Sequence, residues 1–252
     1  MNDQNKRILL EICVDNPDAA FAAIEGGADR LELNSALRLG GLTPSLGLIQ
    51  QIRGASKIPL MIMIRPRPGG FAYSDREFLL MQRDCQIALE HGADGIVFGV
   101  LSPDGSLDVD RCQTMIQQIR PAQAVLHRAF DVVPDPLIVI QQAIDLGFDR
   151  ILTSGQCFTV EEGIKNITSW IKSHGDKIEF LPGGGIRISN ARMIIDQIGC
   201  NQIHASLRSF WRDSSLDQRP QLRFTSFSDS GEEFVDTVDA EAVKQFKEKI
   251  LY

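Results

Sequence analysis

Short apolar runs alternate along the chain with longer segments whose apolar residues recur at helical spacing. Four of the runs follow related tetrapeptides: Gly27-Ala28-Asp29-Arg30, Gly92-Ala93-Asp94-Gly95, Gly147-Phe148-Asp149-Arg150 and a weaker copy, Gly199-Cys200-Asn201-Gln202. A glycine at this place suits the left-handed end of a helix, and a short apolar run after it is typical of a buried parallel strand. The self-similarity predicts one supersecondary unit that is repeated along the chain.

Four further apolar runs, at residues 8–14, 60–64, 124–127 and 178–181, bring the predicted strands to eight. Capping residues predict where the helices between them begin: Asn16-Pro17, Thr43-Pro44, Asp135-Pro136, and the Ser74/Glu77 and Thr159/Glu162 pairs. Eight β-then-α units predict a single-domain (β/α)₈ TIM barrel over 1–252, with the barrel itself at 7–206. In the C-terminal segment 207–252, we expect irregular residues 209–233 to cover a barrel end or a subunit contact, followed by a last helix at 240–251.

Strand side chains alternate between the two faces of a sheet. Where one set of positions in a strand is apolar and faces the helices, the residues between them face the barrel interior. This alternation predicts that one class of inward residues is ionisable and another contains sulfur. The ionisable ones are Glu11, Glu32, Arg65, His127 and His204, and the sulfur-containing ones are Cys13, Met61 and Met63.

Charged side chains inside a barrel admit two interpretations. In the first, Glu11 and Glu32 form a structural ion-pair layer with Arg65 and Arg67, because buried charges require partners. In the second, the ionisable residues line a polar pocket at the C-terminal ends of the strands, where TIM-barrel sites lie. The location favours the second interpretation.

Two segments that follow predicted strands contain candidate binding or catalytic residues. Arg65 and Arg67 lie in a Gly-rich and Pro-rich loop that suits an anion, although the same arginines suit the structural ion pairs. The second segment runs from His127 through Arg128 to Asp131, and it predicts a general acid/base whose imidazole is oriented by a carboxylate, or a ligand contact by Arg128.

Glycines at two other strand ends predict close backbone approach to a phosphate, with tight turns as the alternative. These candidate ligand-binding residues are Ser154, Gly155, Gly183 and Gly184. The soft sulfur atoms of Cys13, Met61 and Met63 suit Cu(I), with ordinary core packing as the alternative.

Composition excludes several classes of partner. The net charge of −7 and the lack of long basic runs argue against nucleic acid and against an anionic membrane surface. Residues 1–7 are polar and do not resemble a signal peptide, and no apolar run approaches the roughly 20 residues of a membrane span. Five widely spaced cysteines, an odd number, predict reduced thiols in the cytoplasm.

Read in order, the motifs resemble one family. Its signal is carried by residues 11–15, 26–33, 40–45, 63–77, 127–131, 152–155, 183–185 and 204–206. Over about residues 8–207 the sequence resembles the CutC proteins, which are TIM barrels associated with copper homeostasis. The resemblance implies a cytosolic, oligomeric barrel linked to copper handling. The chain departs from the family pattern at Asn34, where the family has Cys, and this removes one of two sulfur atoms from a plausible Cu(I) site.

Three functions follow as hypotheses. The first is a copper-binding or copper-tolerance protein, with Cys13, Met61 and Met63 as candidate ligands. The second is an enzyme for a small anionic or phosphorylated metabolite. Its candidate catalytic residues are His127, Glu11, Glu32, Asp131 and His204, its anion ligands are Arg65 and Arg67, and a variant of it holds a divalent metal on Glu11, Glu32, His127 and Asp131. The third is a structural homo-oligomer, a dimer or larger, whose pocket is vestigial.

Overall fold

Eight parallel strands form a nearly closed barrel in a computed structural model that describes residues 7–219, 221–222 and 233–251. Each strand pairs with its neighbour in the chain, β1 pairs with β8, and a bridge between Gly183 and His204 joins β7 to β8. The predicted (β/α)₈ fold is therefore confirmed. The strands are β1 (Leu9–Val14), β2 (Arg30–Leu33), β3 (Leu60–Met63), β4 (Gly95–Phe98), β5 (Gln123–Leu126), β6 (Arg150–Thr153), β7 (Glu179–Pro182) and β8 (Gln202–Ala205).

Helices cover the outside of the barrel, and local capping sets where most of them begin. Asn16, Ser74, Asp135 and Thr159 each accept a backbone N–H as predicted. The predicted start at Thr43 is wrong because Ser45 caps that helix, and the Thr43 hydroxyl accepts the backbone N–H of Arg65 instead. The helices are α1 (Pro17–Glu25), α2 (Leu46–Ala55), α3 (Asp75–Glu90), α4 (Val109–Ile119), α5 (Pro136–Leu146), α6 (Val160–His174), α7 (Ala191–Ile198) and α8 (Ala240–Leu251).

The repeated tetrapeptide has a structural role before every second strand. Its glycines all have positive φ, between 72° and 92°, as the sequence predicts. Its aspartates accept the backbone N–H at the start of the preceding strand: Asp29 from Leu10, Asp94 from Leu60 and Asp149 from Ala124. The repeat therefore ties adjacent strands together in pairs at the N-terminal end of the barrel.

The hydrophobic core has two parts that the alternation of strand side chains separates. The larger part lies between strands and helices and includes Leu10, Ile12 and Leu31, which are fully buried. The smaller part fills the barrel interior and consists of Met61, Met63, Val97, Val125, Leu152 and Leu181. Because the apolar interior group leaves β1, β2 and β8 out, polar residues occupy that side of the barrel.

The segment after β8 is more regular than predicted. Strands β9 (Arg208–Arg212) and β10 (Phe234–Val238) form an antiparallel pair, and β10 lies next to α1. The expectation of an irregular segment over 209–233 is wrong at its start, and residues 220 and 223–232 lie outside the described part of the chain. Helix α8 begins and ends as predicted. Among the described helices, none combines the length and the apolar character that crossing a membrane requires.

Candidate functional site

A cavity of about 430 Å³ opens where β1, β2, β3, β5, β6 and β8 end. Strand β10 closes one side of it with Asp236, Thr237 and Val238. The wall brings together eight of the residues that the sequence analysis singled out: Cys13, Glu32, Met63, Arg65, His127, Arg128, Asp131 and His204. The size is within the range of small-molecule sites.

Three of these side chains form a compact cluster of possible metal ligands. A thiol sulfur of Cys13, a carboxylate oxygen of Glu32 and a ring nitrogen of His204 lie within 4.8 Å of one another. The strand register explains the cluster, because Cys13 is paired with Glu32 across β1 and β2, and β8 lies on the other side of β1. Asn34 also lines the cavity, so its side-chain amide lies in the same wall.

Glu11 lies beneath this cluster and joins it to the barrel interior. Its carboxylate forms a buried ion pair with Arg30 and accepts a hydrogen bond from Nδ1 of His204 at 2.7 Å. Burial raises the pKa of Glu11, but the Arg30 guanidinium and His204 outweigh burial and lower the pKa to about 2. Glu11 is therefore an ionised orienting group for His204 and has no free oxygen for acid/base work.

The charge on His204 is stabilised from several sides. Burial lowers the pKa of His204, but Cys13 and Glu32, together with the hydrogen bond to Glu11, raise it well above its usual value. Since Nδ1 is held by Glu11, Nε2 is the ring nitrogen that a ligand can reach, and a metal ion bound there would displace its proton.

The ion-pair interpretation with Arg65 and Arg67 is wrong. Arg65 donates to the backbone carbonyls of Leu39, Gly41 and Gly69, and Arg67 pairs with Glu77 on α3. The true partner of Glu11 is Arg30, which the sequence analysis missed although it precedes Glu32 by two residues and so faces the same way. Arg67 therefore lies outside the cavity and braces its own loop.

Beneath the cluster, a chain of polar side chains extends to the N-terminal end of the barrel. Arg30 donates to Gln202 at 2.9 Å, Gln202 donates to Glu179 at 3.0 Å, and Arg150 pairs with Glu179 at 2.8 Å. Each of these residues is the first of its strand, so the chain lies at the end of the barrel opposite the cavity. The chain links the buried Glu11 to a half-exposed Glu179.

Glu32 has a different electrostatic environment from Glu11. Burial and the nearby Glu11 raise its pKa, although His204, Asn34 and Arg30 oppose the shift. The Asn34 amide donates to Oε2 of Glu32 at 2.8 Å, while Oε1 is buried and has no hydrogen-bond partner among the described residues. Glu32 therefore presents an oxygen that a bound ion or ligand would satisfy.

His127 is not oriented by Asp131, contrary to the sequence prediction. Its Nδ1 accepts the backbone N–H of Ala129 at 3.2 Å, so the neutral ring carries its proton on Nε2. Burial and the nearby Arg65 lower the pKa of His127 to about 3. Nε2 is buried and finds no acceptor in the described part of the chain. His127 is thus a neutral donor at the cavity wall.

Asp131 instead organises the loop after β6. Its carboxylate accepts from the hydroxyl and backbone N–H of Ser154 and pairs with Arg128 at 2.7 Å. With these partners Asp131 is a positioning residue for the loop. Ser154 is buried in this network, and Gly155 packs against Gly163 of α6, so neither lines the cavity.

The other candidates lie at the margins of the site. Gly183 and Gly184 line a second hollow of about 640 Å³ that adjoins the first and shares Arg128 and His204 with it. Met63 lines the main cavity, whereas Met61 is fully buried in the barrel interior. Of the two methionines, Met63 is thus the one that is placed to contact a bound ion or molecule.

Comparisons with known proteins agree on one family. The family model for CutC matches residues 8–209. A protein named CutC from Treponema denticola is 43% identical over 219 residues, which cover 87% of this chain and 89% of that protein. The copper homeostasis protein cutC homolog of Homo sapiens is 43% identical over 84% of this chain and 77% of its own length.

Solved structures give the same result. The crystal structure of CutC from Streptococcus agalactiae superposes with a TM-score of 0.74 at 33% identity, over 78% of this chain and 97% of that one. The thiamine phosphate pyrophosphorylase of Pyrococcus furiosus covers 99% of this chain with a TM-score of 0.56, but its 15% identity shows a shared barrel fold alone. Residues 8–209 carry the family match, so this chain belongs to the CutC family.

Proposed function

We propose that this protein binds copper, as Cu(I), as its cargo in copper homeostasis, and that the metal is held at the mouth of the barrel. The observation that carries the proposal is the cluster of Cys13, Glu32 and His204, whose ligand atoms lie within 4.8 Å of one another. The relatives named for copper homeostasis in Homo sapiens and Mus musculus support the same function.

The donor atoms of the cluster fit the metal. A thiolate and an imidazole are the ligand types that favour copper over harder cations such as Mg²⁺ and Ca²⁺. The carboxylate of Glu32 has a buried oxygen with no partner among the described residues, which a cation would satisfy. Cys13 and His204 would be the principal ligands, with Glu32 completing the site and Met63 beside it on the cavity wall.

Glu11 has a positioning role in this proposal. It holds Nδ1 of His204 and is itself held by Arg30, so Nε2 is directed away from Glu11. Outer carboxylates of this kind orient metal-binding imidazoles, and their loss typically lowers metal affinity 10–100-fold. Five free cysteines in the described structure are compatible with the reducing cytoplasm in which we place the protein. The homo-oligomer stays a prediction that light scattering tests.

The test is an anaerobic Cu(I) titration of the reduced, metal-free protein against a competing chelator. We expect one Cu(I) per chain, and we expect the binding to be lost in Cys13→Ser and in His204→Gln. Cys112→Ser is the matched control, because Cys112 is also buried but lies on α4, away from the cavity. Failure of the wild type to compete with the chelator would rule the proposal out, as would unchanged binding by Cys13→Ser.

A second candidate function is an enzyme for a small anionic metabolite. It is favoured by the raised pKa of Glu32, which burial produces, and by the donor Nε2 of His127 across the cavity. In this function Glu32 is the acid/base group and His127 is a hydrogen-bond donor, while Glu11 and Asp131 serve to position other side chains. Mass spectrometry of a metabolite extract incubated with wild type and with Glu32→Gln tests it. A compound consumed by the wild type alone is the expected result, and no difference counts against the enzyme.

A further inference from the structure

At the end of β3, the strand that pairs with β2, the cavity wall contains a cation that no carboxylate neutralises in the described part of the chain. Arg65 is 6% exposed, and within the described ranges no acidic oxygen lies within 4.0 Å of its guanidinium. Other arginines near the mouth do have carboxylate partners: Arg128 pairs with Asp131, and Arg38 pairs with Asp236. A buried charge without a counter-ion is costly, so the cavity is suited to an anion.

The hydrogen bonds of Arg65 leave donors available. A guanidinium has five N–H donors. Nη1 donates to the carbonyls of Leu39 and Gly41, and Nη2 donates to the carbonyl of Gly69 at 2.7 Å. Nε is buried and has no hydrogen-bond partner within 3.5 Å among the described residues, although Arg65 lies close enough to the Tyr73 hydroxyl to act against the rise that burial causes in the pKa of Tyr73. The three carbonyl bonds fix the guanidinium in place, so the remaining donors have a fixed direction.

His127 supplies a second available donor beside Arg65. Its Nδ1 accepts the N–H of Ala129, and its buried Nε2–H has no acceptor in the described structure. The Phe71 ring packs against both residues, with its centroid 4.9 Å from the His127 ring and 5.1 Å from Cζ of Arg65. Arg65, His127 and Phe71 therefore form one wall, which we call the donor wall.

From the donor wall we propose that the cavity binds a small organic molecule through its oxyanion group, a carboxylate or a phosphate, held by Arg65 and His127. Arg65 supplies the positive charge and His127 a neutral hydrogen bond. The rest of the molecule would lie on the apolar part of the lining, which includes Met63, Val132 and Leu152. The inference gives the second candidate function its ligand class and rests on it, but it requires no metal at Cys13.

Isothermal titration calorimetry on the purified, metal-free chain tests the donor wall. The carboxylate probes are malonate, succinate and citrate, and the phosphate probes are inorganic phosphate and glycerol 3-phosphate. We expect one of the two groups to bind at one site per chain. Arg65→Met and His127→Phe should each weaken that binding about tenfold or more, because each removes a donor to a charged group. His127→Gln keeps an N–H donor and should recover part of the loss.

Arg53→Met is the matched control, since Arg53 also donates to backbone carbonyls but does not line the cavity, and the oxyanion affinity of this variant should equal that of the wild type. If Arg65→Met fails to fold, as judged by circular dichroism, the two His127 variants decide the question. Failure of every probe to bind the wild type at millimolar concentration would overturn the proposal, as would equal affinities in wild type and His127→Phe. Repeating the titration with Cys13→Ser distinguishes oxyanion binding from copper binding. Because the donor wall does not include Cys13, we expect this variant to bind the oxyanion with the affinity of the wild type.

Discussion

The neutral state of His127 predicts a pH dependence of stability with a defined sign. The folded-state pKa of His127 is lowered to about 3 by burial and by Arg65, whereas the ordinary value is 6.5. Between these values the unfolded chain binds a proton that the folded chain does not. The stability from this group is therefore complete above pH 6.5 and is lost as the pH falls toward 3.

The size of the effect follows from the ordinary pKa of histidine. Each pH unit below it costs about 1.4 kcal/mol, so acidification from about pH 7.5 to about pH 5 should lower the free energy of unfolding by about 2 kcal/mol through this residue alone. Other groups titrate in the same range, and His204, whose pKa is raised, contributes with the opposite sign. A difference between wild type and variant is therefore required to isolate the His127 contribution.

Urea unfolding followed by circular dichroism measures that difference. His127→Phe and His127→Gln both remove the titrating group but pack differently against Phe71 and Gly99. We expect both variants to lose about 2 kcal/mol less than the wild type on acidification, whatever their stability near neutral pH. If the free energy of unfolding changes with pH in parallel in the wild type and both variants, the assignment of His127 as a neutral buried group is refuted.

Three further predictions concern other parts of the molecule. Arg30→Met leaves the buried Glu11 without its ion-pair partner, so urea denaturation should show a loss of about 3–5 kcal/mol; a loss below about 1 kcal/mol would contradict the pairing. Asn34→Cys adds a second thiol to the cavity wall and should tighten Cu(I) binding in the chelator competition, whereas unchanged affinity would place position 34 outside the metal site. Gly163→Ala would place its Cβ 1.9 Å from the carbonyl oxygen of Ser154, so thermal denaturation should show a loss of roughly 1–3 kcal/mol despite the better helix propensity of alanine; an unchanged Tm would contradict this.

The features that the sequence predicted well are local. Helix caps such as Asn16 and Ser74 act within three residues, and the repeated glycines require their conformation wherever they occur. The alternation of strand side chains also placed Glu32 and His204 on the inner face of the barrel, and the structure has both in the cavity wall. Short-range rules were sufficient for these positions because the barrel repeats one unit.

The partners of the charged residues were not predictable in the same way. Arg65 binds carbonyls of Leu39 and Gly41, more than twenty positions earlier, and no sequence pattern marks a carbonyl as an acceptor. Arg30 was more accessible to sequence reasoning, because it lies two residues before Glu32 on the same strand face. Because Arg30 also closes the repeated tetrapeptide, its position on the inward face of β2 was not recognised. The strands β9 and β10 were missed because β9 is mostly exposed and β10 is mostly half-buried, so neither has the apolar alternation of a core strand.

The polar chain along the barrel interior connects the two faces of the barrel, which in most TIM barrels are independent of each other. In most of them the N-terminal face serves stability and the C-terminal face serves function, so that either can change alone. Here Glu11 belongs to both, since it anchors His204 above and is bound through Arg30 and Gln202 to Glu179 below. A substitution made at the far end of the barrel to improve its stability, such as one at Glu179, therefore also changes the support of the imidazole at the mouth. In this barrel, stability and ligand affinity must be measured together for any variant along the axis.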